Sequence, residues 1–333
     1  MNGPPMNDIQ LPDLVSARVG GRALYANDEF FAPRSCLVKP EPAVFIAGKY
    51  TSRGKWMDGW ETRRRRTPGH DWCVLALGLR GRIHAVDVDT SFFVGNQPER
   101  ASLEACDLPG NPTRARLERA RWAEVLPPSL LAPGSSNLFA VKSAGPFSHV
   151  RLNIFPDGGV ARLRVRGEVE VDPARLRGRV VDLAAIENGG VVLAASDMHF
   201  GSKEHLILPG RAKSMAEGWE TRRRRGPGHD WVILKLGAAG RIEKVEIDTA
   251  HFKGNYPDRA SLAGCLAPAA SLAELANSSW QELLPSSKLR PNARHFYSAK
   301  QLRARGPFTH VRLRIDPDGG VSRLRLHGRA EAP

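Results

Sequence analysis

The stretch HVRLNIFPDGGVARLRV, residues 149–165, sets apolar Val150, Leu152 and Ile154 against His149, Arg151 and Asn153. A two-residue period is that of a half-buried strand, whose successive side chains point to opposite faces. Pro-Asp-Gly-Gly then signals a turn, and a second alternating run, VARLRV, follows. HVRLRIDPDGGVSRLRL, residues 310–326, repeats the whole pattern. His149 and His310, which open these runs, read as packing or surface histidines. DWCVLALG, RIHAVDVDT, DWVILKLG and RIEKVEIDT are further strand candidates separated by Gly-rich turns. The only helical suggestions of any length lie around 113–125 and 271–284. Many short strands between frequent turns predict an all-β chain, with one antiparallel sandwich of jelly-roll type per copy.

The repetition reaches well beyond this stretch. DTSFFVGNQPERASLEAC at 89–106 matches DTAHFKGNYPDRASLAGC at 248–265, and GWETRRRRTPGHDW at 59–72 matches GWETRRRRGPGHDW at 218–231. The period is far above the 20–50 residues of repeat arrays, so this is one domain duplicated once. We expect domains at 1–170 and 171–333, meeting in the segment before Asp182 restarts the pattern. Residues 39–55 have no full counterpart and read as a longer loop, with a shorter one around 203–213.

With 333 residues, 41% hydrophobic and 25% charged, each copy can bury its own core in the manner of a soluble domain. No apolar run approaches the roughly 18–20 residues that cross a bilayer, so no membrane partner is expected. The N-terminus lacks a basic region followed by an apolar stretch, so we expect no signal peptide and a cytoplasmic protein. Cys36, Cys73, Cys106 and Cys265 show neither a CxxC pair nor zinc spacing, and read as reduced, mostly buried thiols. Eight positive charges of the +14 net balance are the two arginine quartets, leaving about +6 over the rest of the chain. Basicity so concentrated points to local sites rather than to a surface tracking nucleic acid.

The duplicated cassette carries the chemistry. In an extended segment Arg63 and Arg65 share a side with Glu61, and Arg222 and Arg224 with Glu220. A carboxylate beside two guanidiniums suits a small anion with urea-like groups, because the planar fork of arginine grips a carboxylate bidentately. Next come His70 and Asp71, or His229 and Asp230, a proton carrier beside a carboxylate, although neighbours in a strand point oppositely. Asn96 and Asn255 sit in Gly-Asn-x-Pro loops, where the amide reaches a ligand or merely closes a turn. Two other readings stand beside anion binding: an ion-pair network holding the fold, and a nucleic-acid patch. Trp60, Trp72, Trp219 and Trp231 look like core. No HExxH, GxSxG or P-loop is present.

KWMDGWETRRRRTPGHDW, DTSFFVGNQP and FPDGGVARLRV, with their second-copy forms, resemble the allantoicase family over nearly the whole chain, from about Leu11 to Gly328. The resemblance implies two tandem jelly-roll domains of the galactose-binding-like type. It also implies hydrolysis of allantoate to ureidoglycolate and urea in purine nitrogen use, and an assembly of like chains. Within that frame, Glu61, His70, Asp71, Glu220, His229 and Asp230 are the catalytic candidates. Arg63, Arg65, Asn96, Arg222, Arg224 and Asn255 are the candidates for binding allantoate. Histidine would protonate the departing urea, and a carboxylate would activate water. No compact ligand motif assigns a metal, so the cofactor stays unknown. Phe92 stands where the second copy has His251, which leaves open whether both copies are active. The competing reading is a noncatalytic tandem jelly roll that binds a small ligand.

Overall fold

A computed structural model describes residues 11–108 and 110–331; residues 1–10, part of the segment read for a leader, lie outside it. The chain divides into two compact units, Met1–Glu170 and Val171–Pro333. The elements of the first unit run β1 (Arg22–Ala26), β2 (Tyr50–Thr51), β3 (Gly54–Lys55), β4 (Trp60–Glu61), β5 (Asp71–Asp89), β6 (Arg100–Cys106), α1 (Arg114–Glu118), β7 (Ala123–Leu130), β8 (Ser136–Ala140), β9 (Pro146–Phe155), β10 (Gly159–Val160) and β11 (Arg162–Val169). All of its strand pairs are antiparallel.

Strand β5 organises the sandwich. Its first half pairs with β9, from Asp71↔Ile154 to Ala76↔His149, and β9 continues through β6 to β7. Its second half pairs with β11, from Gly81↔Val169 to Asp89↔Arg162, and with β8. The sequence suggests two strands here; the structure has one of 19 residues, offset in register between Ala76 and Gly81. Gly78 and Gly81 sit at the offset, and a methyl group on Gly81 would stand 2.2 Å from the Glu168 carbonyl oxygen. Backbone so close to backbone lets the strand bend and pass from one sheet to the other without ending.

The alternation works as expected in the ladders. Val150, Leu152 and Ile154 of β9 are fully buried with Leu75, Leu103, Val86, Val88, Leu163 and Val165. His149 is a packing histidine, buried and hydrogen-bonded through Nδ1 to the Ser148 hydroxyl at 2.9 Å. All four cysteines are free and buried. The Pro-Asp-Gly-Gly turn, in contrast, closes no hairpin between β9 and β11. It carries the chain across to β10, which pairs with β4, and then to β11 on the far half of β5. Helix α1 is a single turn capped by Thr113, and the expected helical stretch then passes through a turn and ends in strand β7, paired with β6.

The second unit repeats this plan around one strand, Asp230–Asp248, flanked by Phe308–Asp316 and Arg323–Ala330. Its helix, Leu272–Ala276, carries a capping box from Ser271 and Glu274.

Candidate active site

The cassette is strand at Trp60–Glu61 and again where β5 begins at Asp71, and the arginine quartet between them is not strand-borne. The ladder stops because carboxylates capture the next amides. Asp28 accepts from the Arg63 amide at 3.1 Å, and Asp157 of the turn accepts from the Arg65 amide at 2.8 Å. Thr62, buried between them, exchanges hydrogen bonds with the backbone of Gly158. Gly158 has φ +137°, and a side chain there would press on the backbone at Asn96–Pro98. The Pro-Asp-Gly-Gly turn therefore clamps the cassette to the Gly-Asn loop, whose Asn96 carbonyl accepts from the Gly159 amide at 2.8 Å. Trp60 is fully buried beside this clamp, its indole donating to the Asp28 carbonyl at 2.8 Å.

The clamp brings Glu61 and Asn96 together: the Asn96 amide donates to Glu61 Oε1 at 2.8 Å. Both line a cavity of about 540 Å³ with Lys55, Phe31, Phe45 and Phe92. Burial pushes the Glu61 carboxyl up from its ordinary value, against the lowering effects of the Asn96 bond and the Lys55 charge. A half-buried carboxylate with a raised pKa, one oxygen fixed and a cation across an apolar cavity, is poised to exchange a proton with a bound molecule. Lys55 and Phe45 come from the unmatched segment 39–55, which forms one wall. Sequence reasoning missed Lys55, and its signal was the insertion itself.

The other candidates lie elsewhere in the local network. The Arg63 guanidinium pairs with Asp28 at 2.6 Å, and that of Arg65 pairs with the buried Asp71 at 2.7 Å. Asp28 is held below its ordinary value: burial opposes its charge, but hydrogen bonds from the Phe30 amide and from Arg63 outweigh burial. Asp71 also accepts from the Asn27 amide at 2.8 Å, so it is a bracing acid at the foot of β5. The His70 ring lies 4.8 Å from that of Phe155 and makes no hydrogen bond among the described residues. His70 and Asp71 thus have separate partners. The second unit repeats the pairs, with Arg222 on Asp197 at 3.1 Å and Arg224 on Asp230 at 2.5 Å. Asn255 likewise donates to Glu220. There, however, the matching segment is shorter and ends in Lys213, and the His251 ring bonds the Ala212 carbonyl at 3.0 Å where the first unit has Phe92. His229 bonds Arg314 at 3.0 Å in a different cavity of the second unit. Among the described residues, no three His, Cys, Asp or Glu side chains gather as a metal site.

The Arg63–Asp28 pair is largely exposed on its arginine side, and such pairs contribute only about 0.2–1 kcal/mol. Arg63→Ala is therefore expected to lower stability by no more than this in urea titration. A loss above about 2 kcal/mol would overturn the surface-brace reading.

Two β-sandwiches on one chain, with a carboxylate and a carboxamide facing a lysine in a partly apolar cavity of small-molecule size, define a tandem jelly-roll protein. The Allantoicase repeat model matches residues 12–170 and again 181–331, so the chain belongs to the allantoicase family. "Probable allantoicase 1" of Burkholderia mallei is 49% identical over 334 residues, covering 97% of this chain and 98% of that one. The "Probable allantoicase" of Rhizobium meliloti is 49% identical over 96% of this chain and 94% of its own length. The crystal structure of Saccharomyces cerevisiae allantoicase superposes with a TM-score of 0.80 at 36% identity, covering 95% of this chain and 92% of that chain.

Proposed function

We propose that this chain hydrolyses allantoate to ureidoglycolate and urea, with the cavity of Glu61, Asn96 and Lys55 as its reaction site. Relatives named as allantoicases along almost the full length support the reaction. The observation that carries the site is a carboxylate with a raised pKa, held by a carboxamide inside a cavity of small-molecule size.

Allantoate has a carboxylate and two ureido groups on one carbon. Lys55 attracts the carboxylate, and the remaining oxygen of Glu61 takes a proton from water as its oxygen bonds that carbon. The C–N bond breaks, and the proton passes to the departing urea nitrogen, without which urea leaves poorly. Phe31, Phe45 and Phe92, each partly exposed, give the cavity its apolar side. Arg63, Arg65, Arg222 and Arg224, with Asp71 and Asp230, brace the fold in this reading. His70 and His229 stand outside the proton path.

Catalysis falls to the first unit in this reading, because the longer wall of 39–55, with Phe45, belongs to it alone. Glu220→Gln is expected to keep turnover within about threefold of wild type, measured as urea release from allantoate, whereas a loss like that of Glu61→Gln would assign a second active unit. We further infer a cytoplasmic assembly of like chains with neither nucleic acid nor membrane as partner. Support comes from the acid pairing of Arg63, Arg65, Arg222 and Arg224, and from the absence among the described residues of any helix long and apolar enough to span a bilayer. Light scattering after gel filtration reads the assembly.

A further inference from the structure

The two units differ in charge on one face of a sheet. In the first, Arg151 lies opposite Glu104 and pairs with it at 2.7 Å, while Asn153 donates to Glu104 at 2.9 Å and to Ser102 at 3.1 Å. The register is the same in the second, Arg312 opposite Ala263 and Arg314 opposite Ser261. The acid has become alanine and the asparagine a second arginine.

Among the described residues, neither Arg312 nor Arg314 has an acid within ion-pair distance. Arg312 Nε is buried without a hydrogen-bond partner, and its guanidinium lies 4.7 Å from the centre of the Trp280 ring. Arg314 donates to His229 Nδ1 at 3.0 Å, which leaves His229 Nε2 as a further donor. Burial, then the Arg314 charge, pushes the Arg312 guanidinium down from its ordinary value, and the same two influences act on the His229 ring. These side chains line a cavity of about 490 Å³ whose other walls are Trp231, Ile233, Leu272 and Ala276. Asp316 acts on the His229 ring from a greater distance, against burial and Arg314, but two guanidiniums without an ion-pair partner and an orphaned N–H beside apolar walls form an electrostatically incomplete site.

We propose that this cavity is a second small-molecule site, binding an organic carboxylate whose charged end sits between Arg312 and Arg314 and whose apolar end lies against Trp231 and Leu272. Planar guanidinium forks suit a carboxylate, and the apolar walls favour a carboxylate with a hydrophobic body over a bare oxyanion. The proposal is independent of the Glu61 reading, since it concerns binding and uses none of that cavity's residues.

The test uses benzoate and, separately, inorganic phosphate, titrated into the full chain while following tryptophan emission, because Trp280 and Trp231 border the site. Benzoate should give saturable quenching. Two variants should each weaken it at least tenfold: Arg314→Asn, and Ala263→Glu, which supplies the acid that Glu104 provides in the first unit. Thermal melts confirm that each variant is folded, and urea release from allantoate should stay at the wild-type rate in both. No saturation by benzoate below about 10 mM overturns the proposal. So does equal binding by wild type and Ala263→Glu, and so does binding of phosphate without benzoate.

Discussion

Glu61→Gln is expected to lower kcat for allantoate by about 100- to 10,000-fold while leaving the fold intact. Glutamine keeps an oxygen for the Asn96 amide at the same place and removes only the proton-accepting charge. The change also reads on pH. Burial raises the Glu61 carboxyl above its ordinary value, and its ionised form is the base, so activity should fall as pH drops through that raised value. Glu61→Gln should erase this limb from what activity remains. Stability should move the other way. A carboxyl whose folded pKa is raised favours the folded state at low pH and loses that advantage as pH rises through the folded value. At neutral pH the ionised Glu61 is therefore a cost, and Glu61→Gln should be as stable as wild type or slightly more so. A variant that is folded yet retains more than a tenth of wild-type kcat would remove Glu61 from the chemistry.

Asp58→Ala should have the largest effect on stability, about 3–5 kcal/mol, read as a lowered urea midpoint at unchanged slope. Asp58 and Arg162 are both buried and paired at 2.6 Å. The Arg162 guanidinium also donates to the carbonyls of Asp58, Glu41 and Pro42 at 2.8, 2.9 and 3.2 Å. Removing the acid leaves a buried guanidinium without its counter-charge. Hydrogen bonds hold Asp58 below its ordinary value despite burial, so its contribution is present at neutral pH and fades as pH falls through the folded value. Asp58 also accepts from the Lys39 ammonium at 2.7 Å and the Val44 amide at 3.2 Å, fastening the segment that carries Phe45 and Lys55. Asp58→Ala should therefore raise KM for allantoate as well. A stability change below about 1 kcal/mol would overturn this account.

The alternation of β9 and the duplicated cassettes made the architecture legible, because period two survives any tertiary context in which one face is buried. The proposed site was legible in part. Glu61 and Asn96 stood out, 35 residues apart, yet only the turn at Asp157–Gly158, itself far along the chain, brings them into contact. The quartet misled for the same reason. Its alternation is written for a strand, but the acids that end the strand, Asp28 and Asp157, lie 35 and 92 residues away, where local pattern has no reach. Lys55 belongs to a segment with no periodicity at all, and only that segment's extra length over the second copy marked it. The anion-facing pair Arg312 and Arg314 was visible as a strand face, but its missing acid showed only against Glu104 in register.

Strand β5 serves both sheets of the first unit, its halves laddered to β9 and β11 in turn. Neither sheet can then open alone, since fraying one strips the hydrogen-bonded edge of the other. Amide exchange at Leu75 and Val86, on the two sides of the bend, should report one common opening free energy. A duplicated chain built this way can vary its walls and surface charges, as the 39–55 insertion and the Arg312 face show, while each unit still melts as a single cooperative body.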